Sequence, residues 1–350
     1  SRAYDQKQYL EPLAEYLAMI RGPGSSSELP FKLRPRPTGD ASTRLVVTEY
    51  DVPRGGTRDI ILRGDRRAAW PHDILLDDEG RYAYYTDHYS YILGRLDRRT
   101  GEIKEFPYEV LEGMGRVGGM VAQAQQRAGN PGGGAHDMLW DDKGNVVFGM
   151  GGGTIMFDPR TEKFTPFAHG SNMFGMDGQG NVWYLDDEKL HKLDLETGAV
   201  TDIDIPAYAD GSTYDMETDA RGRSFMNMFR HSGIGMYNPA TEQFEAIPTP
   251  THGSGPRRGD MDDQGNVWMG LYWAGRIGML DPDTRRLKEY DLIPGYEPYG
   301  PPFLSAYSVA VDDKNRIAWT NDFNSRRTYK IDIDSGDSVE YYMPQPYEVR

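Results

Sequence analysis

The stretch "DDQGNVWMGLYWAGRIGMLDPDTRRLKEYDLIP", residues 262–294, decides the fold. It reads as an acidic turn, an apolar strand, a short loop, a second strand, a D-x-x-T turn and a third strand. The Asp, Asn and Gly residues of its turns supply the side-chain hydrogen bonds and positive-φ geometry that hairpins need. The acidic turn recurs as "DDEGRYAYYTD" from Asp77, "DDKGNVVFGM" from Asp141, "DGQGNVWYLD" from Asp177, "DARGRSFMNM" from Asp219 and "DDKNRIAWTN" from Asp312. The second turn recurs as "LDRRTGEI", "FDPRTEKF", "LDLETGAV", "YNPATEQF" and "IDIDSGDS". With the strand before each acidic turn, a unit holds four short antiparallel strands in roughly 40–50 residues, the pattern of a β-propeller blade. A sandwich or barrel does not repeat one hairpin pattern six times. The predicted fold is therefore an all-β propeller of four-stranded blades, with six repeats visible and seven blades expected in the complete fold. "RLVVTEYDVP", residues 44–53, reads as an outer strand that would help build the seventh.

Residues 1–45 fall outside the repeat and read as a helical extension and linker, leaving 46–350 for the propeller. Leu10, Leu13, Leu17 and Ile20 recur at helical spacing, and "GPGSSSELPFKLRPRPTGD" follows as an extended segment. The 350 residues are 38% hydrophobic and 27% charged, enough to bury a core and remain soluble. Net charge is −15, which argues against nucleic-acid binding. No apolar run reaches the roughly eighteen residues of a membrane span. Cysteine is absent, excluding disulfides, thiolate catalysis and zinc-thiolate sites. The chain starts with Ser, as if a leader had been removed; a periplasmic or secreted protein is expected, with a further domain or fragment upstream or downstream.

Ligand sites in propellers form where the innermost strands begin. Those starts read "PHDI" (71–74), "AHDM" (135–138), "MFGM" (173–176), "TYDM" (213–216), "RGDM" (258–261) and "AYSV" (306–309). Asp73, Asp137, Asp215 and Asp260 share one phase. As converging hard oxygens they would suit Mg²⁺ or Ca²⁺; as strand-start aspartates they equally fit as acceptors for exposed backbone N–H groups. His72 and His136 precede two of them and fit a general base, with His231 as a third catalytic candidate. His88, Arg257, Arg258, Tyr272 and Trp273 fall on the same face and read as binding residues for a small-molecule substrate: the arginines for an anionic group, the aromatics for a ring. The insertions 108–134 and 293–306 join blades on that face and suit a lid.

Units such as "GNVWMGLYWAGRIGMLDPDTRRLKEYDLIP" and "GRYAYYTDHYSYILGRLDRRTGEIKEFP" resemble blades of the streptogramin B lyase (virginiamycin B lyase) family. The resemblance covers about residues 46–344. It implies a seven-bladed propeller and a Mg²⁺-dependent lyase that opens a cyclic ester by elimination, with a histidine as base. "PHDI" matches a family context for that base, giving the role to His72 and, less closely, to His136. Thr86-Asp87 stands where the family carries Thr-Glu. The expected function is metal-dependent cleavage of a C–O or ester-type bond by elimination. The alternatives are a Ca²⁺-dependent hydrolase or lactonase of gluconolactonase type, or a non-enzymatic binding propeller.

Overall fold

A computed structural model describes residues 14–15, 17–19, 37–54, 69–88, 90–114, 134–186, 189–206, 213–230, 232–298 and 303–344. The chain divides into two compact units, 1–36 and 37–350. In the first, residues 14–15 and 17–19 are helical. The second holds six four-stranded antiparallel sheets arranged as the blades of a propeller ring. Among the described residues, no helix is long and apolar enough to cross a membrane.

The blades follow the repeats. Blade 1 holds β1 (Pro71–Leu76), β2 (Tyr82–Asp87), β3 (Ile92–Asp97) and β4 (Ile103–Pro107); blade 2 holds β5 (Met138–Trp140), β6 (Val146–Met150), β7 (Gly153–Asp158) and β8 (Lys163–Phe167). Blade 3 holds β9 (Phe174–Met176), β10 (Asn181–Leu185), β11 (Lys189–Asp194) and β12 (Val200–Asp204); blade 4 holds β13 (Thr213–Thr218), β14 (Ser224–Met228), β15 (Gly233–Asn238) and β16 (Gln243–Pro248). Blade 5 holds β17 (Pro256–Met261), β18 (Val267–Leu271), β19 (Arg276–Asp281) and β20 (Arg286–Asp291); blade 6 holds β21 (Ala306–Asp312), β22 (Ile317–Asp322), β23 (Arg327–Asp332) and β24 (Ser338–Tyr342).

The recurring residues each have a local task. In the acidic turn of blade 5, Asp262 Oδ1 accepts from the amides of Gln264 and Asn266, and Oδ2 accepts from the Asn266 side chain and the indole of buried Trp268, 2.9 Å away. Gly265 closes that turn at φ +80°, a region only glycine enters cheaply. Asp177, Asn181 and Trp183 repeat the arrangement in blade 3. The glycine of "I-G-R-L" and its relatives answers a cross-strand partner. Gly94 faces Tyr85 in the ladder, and a Cβ there would lie 2.0 Å from the Tyr85 ring. Gly235 and Gly278 receive Met226 and Met269 in the same way.

The inner strands β1, β5, β9, β13, β17 and β21 surround a central channel, whose lining draws on all six. Residues 44–53, expected as an outer strand, form none. They run as a strap instead. The short 3-10 turn Ala41–Thr43 lies against β24 of blade 6. Tyr50 then donates to the Arg98 carbonyl in blade 1, and Arg54 bonds Glu105 and Asp87. The segment thus runs from the last blade to the first and is held there by side chains rather than by extending a ladder. Six sheets form among the described residues, where seven blades were expected.

The insertions are anchored at their described ends. Tyr108 and Met114 are buried in the core between blades 1 and 2, and Tyr296 and Leu304 in the core between blades 5 and 6. Residues 115–133 and 299–302 lie outside the described residues, so the lid expectation falls there.

Candidate functional site at the ring mouth

Two slots of the repeat build the mouth. The first is the start of the inner strand. There the β1–β2 ladder shifts register between Pro71 and Ile74, and β13, β17 and β21 shift at Thr213/Asp215, Pro256/Gly259 and Ala306/Val309. A bulge re-aims the side chains it carries, and these carry His72, Tyr214, Arg257, Arg258 and Tyr307. The second slot is the first residue after the second strand: His88, Gly151, Asp186, Phe229, Tyr272 and Phe323 in blades 1 to 6. Both slots are histidine-bearing in blade 1 and aromatic in blades 4 and 6.

His72, His88 and His136 come together. Their ligand atoms all lie within 4.8 Å of one another, forming the one group of three or more potential metal ligands found among the described residues. The rings of His72 and His136 have centroids 3.8 Å apart, and His88 stacks on His72 at 4.8 Å. His72 Nδ1 lies 3.3 Å from the His136 carbonyl oxygen. A carbonyl only accepts, so Nδ1 is the donor in this contact. Backbone bonds fix the scaffold: the His88 amide donates to the Trp70 carbonyl, and the Gly134 amide to the His88 carbonyl. Asp87, fully buried, accepts from the Trp70 and Ser90 amides and from Arg54 of the strap. Gly134 is obligatory, since a Cβ there would lie 1.9 Å from the Asp87 carbonyl oxygen.

The four aspartates do not gather as a metal group. Three of them join neighbouring blades. Asp73 Oδ2 accepts from the Met138 amide at 2.9 Å, Asp215 Oδ2 from Gly259 at 3.0 Å and Asp260 Oδ2 from Val311 at 2.8 Å. Each inner strand offers unpaired N–H groups to its neighbour, and the aspartate satisfies one. In blade 3 the slot holds Gly175, and a Cβ there would lie 2.7 Å from the Thr218 amide of β13, so direct backbone contact replaces the aspartate. Asp73 and Asp137 also share the buried Arg258, at 3.3 and 2.8 Å. Arg258, expected to bind substrate, is thus paired with two carboxylates of the chain itself.

That one cation serves several buried acids. Burial pushes Asp137 well above the ordinary carboxylate range, with Arg258 opposing and Asp73 and Asp215 adding to the rise. Burial likewise raises Glu217 well above its ordinary value, and the neighbouring Asp215, Asp137 and Asp260 reinforce it. Asp215 and Asp260 are pushed up to about 6, again chiefly by burial. Burial alone would lower Arg258, but Asp73, Asp137 and Asp215 hold it well above its ordinary value. Burial of several carboxylates around one guanidinium favours their protonated forms.

Arg257, the next residue on the bulge, has a different setting. Its guanidinium carbon sits 3.9 Å from the Tyr307 ring centroid, 4.3 Å from Tyr214, 4.5 Å from Tyr272, 5.1 Å from Phe229 and 5.7 Å from Phe323. Nη2 donates to the Tyr214 hydroxyl at 2.9 Å. Trp273 stands half-exposed beside Tyr272 and Phe229. A groove of about 870 Å³ opens elsewhere, where the second slot is filled by Gly151 and Asp186. Its His191 is clamped between Asp186 and Asp202 at 2.8 and 2.9 Å.

His231 lies outside the described residues. Sequence reading named His88 without placing it in the histidine group, and it missed Glu217, Tyr214, Phe229, Tyr307 and Phe323. The signal was present in the repeat: Tyr214 and Tyr307 occupy the slot of His72, and Phe229 and Phe323 that of His88.

No protein-family model and no curated protein matches the sequence. Solved structures do. A streptogramin B lyase structure is similar at 18% identity and a TM-score of 0.60, over 79% of this chain and 84% of that one. Virginiamycin B lyase from Staphylococcus aureus is similar at 12% identity and 0.60, over 79% and 85%. The Cps50 (Swd1) β-propeller domain of Myceliophteria thermophila gives 12% and 0.58, over 79% and 87%. At these identities the likeness is one of architecture: this chain shares its propeller fold with streptogramin B lyase and with propellers that bear another name.

Proposed function

We propose that the protein is a metal-dependent enzyme cleaving a C–O bond of ester or lactone type in a small substrate, with the ion held by His72, His88 and His136. The grouping of these imidazoles within 4.8 Å carries the reading. Metal–nitrogen bonds of about 2.0–2.1 Å in a tetrahedral site put ligand atoms ~3.3 Å apart, so modest side-chain rotations close the group. A metal-ligating histidine commonly donates its other N–H to a backbone carbonyl, as His72 does to His136. Three neutral imidazoles suit a nitrogen-seeking ion of the Zn²⁺ class and leave one position open.

The Mg²⁺ or Ca²⁺ expected on the converging aspartates, like the Mg²⁺ of the family resemblance, does not fit these carboxylates, whose oxygens serve backbone amides and Arg258. An ion on the imidazoles would polarise a carbonyl and activate water. In hydrolysis the water oxygen would bond to the carbonyl carbon, the C–O bond to the alcohol would break, and the proton given up by the water would leave on the alcohol, with His72, His88 and His136 holding the ion. Elimination needs a base for the α-proton, and a bound ion would occupy all three imidazoles, so hydrolysis is favoured over the lyase reaction.

Metal analysis and Co²⁺ absorption spectra of the purified chain, with hydrolysis of an ester and lactone panel, test this. Stoichiometric binding lost in His72→Ala, His88→Ala and His136→Ala is expected. If no ion binds with Zn²⁺ or Co²⁺ supplied, the metal reading fails. A histidine-dependent elimination without metal would then restore the lyase, and no turnover at all would favour a binding propeller.

A further inference from the structure

The geometry points to Arg257 as the receptor for a substrate carboxylate carried on a ring, an assignment that deepens the proposed function by naming the class of molecule at the mouth. Two consecutive arginines on one bulge have opposite settings. Arg258 is paired with two carboxylates. Arg257 has no carboxylate partner among the described residues; it donates to the neutral Tyr214 hydroxyl. Its Nε is buried and makes no hydrogen bond. A guanidinium offers five N–H donors in a planar fork, and a buried donor without an acceptor calls for an explanation such as an absent ion or ligand.

The surrounding rings stabilise the cation through their faces but supply no in-plane acceptors beyond the tyrosine hydroxyls. Two of those hydroxyls already engage each other, Tyr214 with Tyr307 at 3.0 Å. The open donors therefore match an oxyanion. A carboxylate fits better than a phosphate dianion, because one guanidinium balances one charge and the adjoining channel holds an excess of acids. The walls choose the rest of the molecule. The half-exposed Trp273 and the part-buried Phe229 and Phe323, packed on buried Tyr272, offer flat apolar surface that suits an aromatic ring or the face of a sugar acid.

The placement suits a two-point substrate. Arg258, the neighbour of Arg257, touches Asp73 and Asp137, the residues that follow His72 and His136. A carboxylate held at Arg257 would leave the ester of the same molecule facing the histidine group across the mouth.

Calorimetric titration of the full chain with phenylacetate, phenylacetamide, glucuronate and inorganic phosphate tests this. Phenylacetate or glucuronate is expected to bind, and which of the two binds tells an aromatic from a sugar acid. A charge-assisted bond lost to the neutral amide weakens binding about 10- to 100-fold, and Arg257→Gln weakens carboxylate binding similarly. His88→Ala is expected to leave this binding intact, so loss of the metal reading and loss of this one are separable. Should Arg257→Gln fail to fold, the wild-type contrast of phenylacetate with phenylacetamide still decides. Equal binding of acid and amide, full binding in Arg257→Gln, binding of neither carboxylate, or phosphate binding as tightly as either would each overturn the assignment.

Discussion

Asp260 ties folding stability to pH in a way that one substitution isolates. Its carboxylate accepts from the amides of Met261 and Val311, each at 2.8 Å, and so joins blade 5 to blade 6. Burial pushes its pKa from the ordinary 3.8 up to about 6, with those two amide bonds opposing the rise. The unfolded chain releases this proton near 3.8, while the native state keeps it until about 6. Across that window the native state binds more protons, so the contribution of Asp260 to stability falls as pH rises. Each tenfold step in the protonation equilibrium is worth ~1.4 kcal/mol, so the ionised native state carries a cost of about 3 kcal/mol above pH 6. Asp260→Asn keeps an acceptor and removes the proton. Other buried acids titrate in the same range, so the informative quantity is the difference between wild type and variant. Urea unfolding followed by tryptophan fluorescence, from about pH 4 to about pH 7.5, measures it. The variant is expected to gain about 2–3 kcal/mol on the wild type over that range. A difference that stays flat, or that moves against the variant as pH rises, would refute the burial argument.

Three further outcomes are expected. Arg258→Leu strands Asp73 and Asp137 without their cation and should cost about 3–5 kcal/mol in urea unfolding at neutral pH, with a smaller loss in acid, where the raised pKa of Asp137 lets it protonate. Gly134→Ala drives a Cβ into the Asp87 carbonyl; it should lower stability by about 1–3 kcal/mol and, by displacing His136, abolish the Co²⁺ spectrum while circular dichroism keeps its β signature. Glu242→Gly should raise stability by up to about 1 kcal/mol by chemical denaturation, because Glu242 sits at φ +54° in the slot where Gly101, Gly198 and Gly336 stand in other blades.

The blades were legible because each is a local object. An acidic turn, a Trp-bearing strand, a strand with a glycine facing a large side chain and a D-x-x-T turn lie within one short segment, and their hydrogen bonds close within it, as between Asp262 and Trp268. The aspartates at the strand starts were legible as a pattern but not as a role. Whether Asp73 meets a cation or the Met138 amide depends on the next blade, and the sequence alone left both open. Uneven retention of the His-Asp pair reads as a mark of function, yet its two halves separate: the aspartate follows what the adjacent inner strand presents, and the histidine belongs to the mouth. Residues 44–53 were read as an outer strand, but the segment runs from a turn against blade 6 to side-chain contacts with blade 1 instead of extending a ladder.

The sequence by itself determined the propeller class and six strand sets, since periodicity and turn chemistry are written residue by residue. Only the tertiary structure decided which mouth residues meet. His72 and His136 lie far from each other in the chain, and they meet with His88 where blades 1 and 2 pack side by side. Ring closure gave Arg258 two carboxylates and left its neighbour Arg257 among five rings. Charge and hydrogen-bond balance in a channel are properties of the assembled ring, and no single blade contains them.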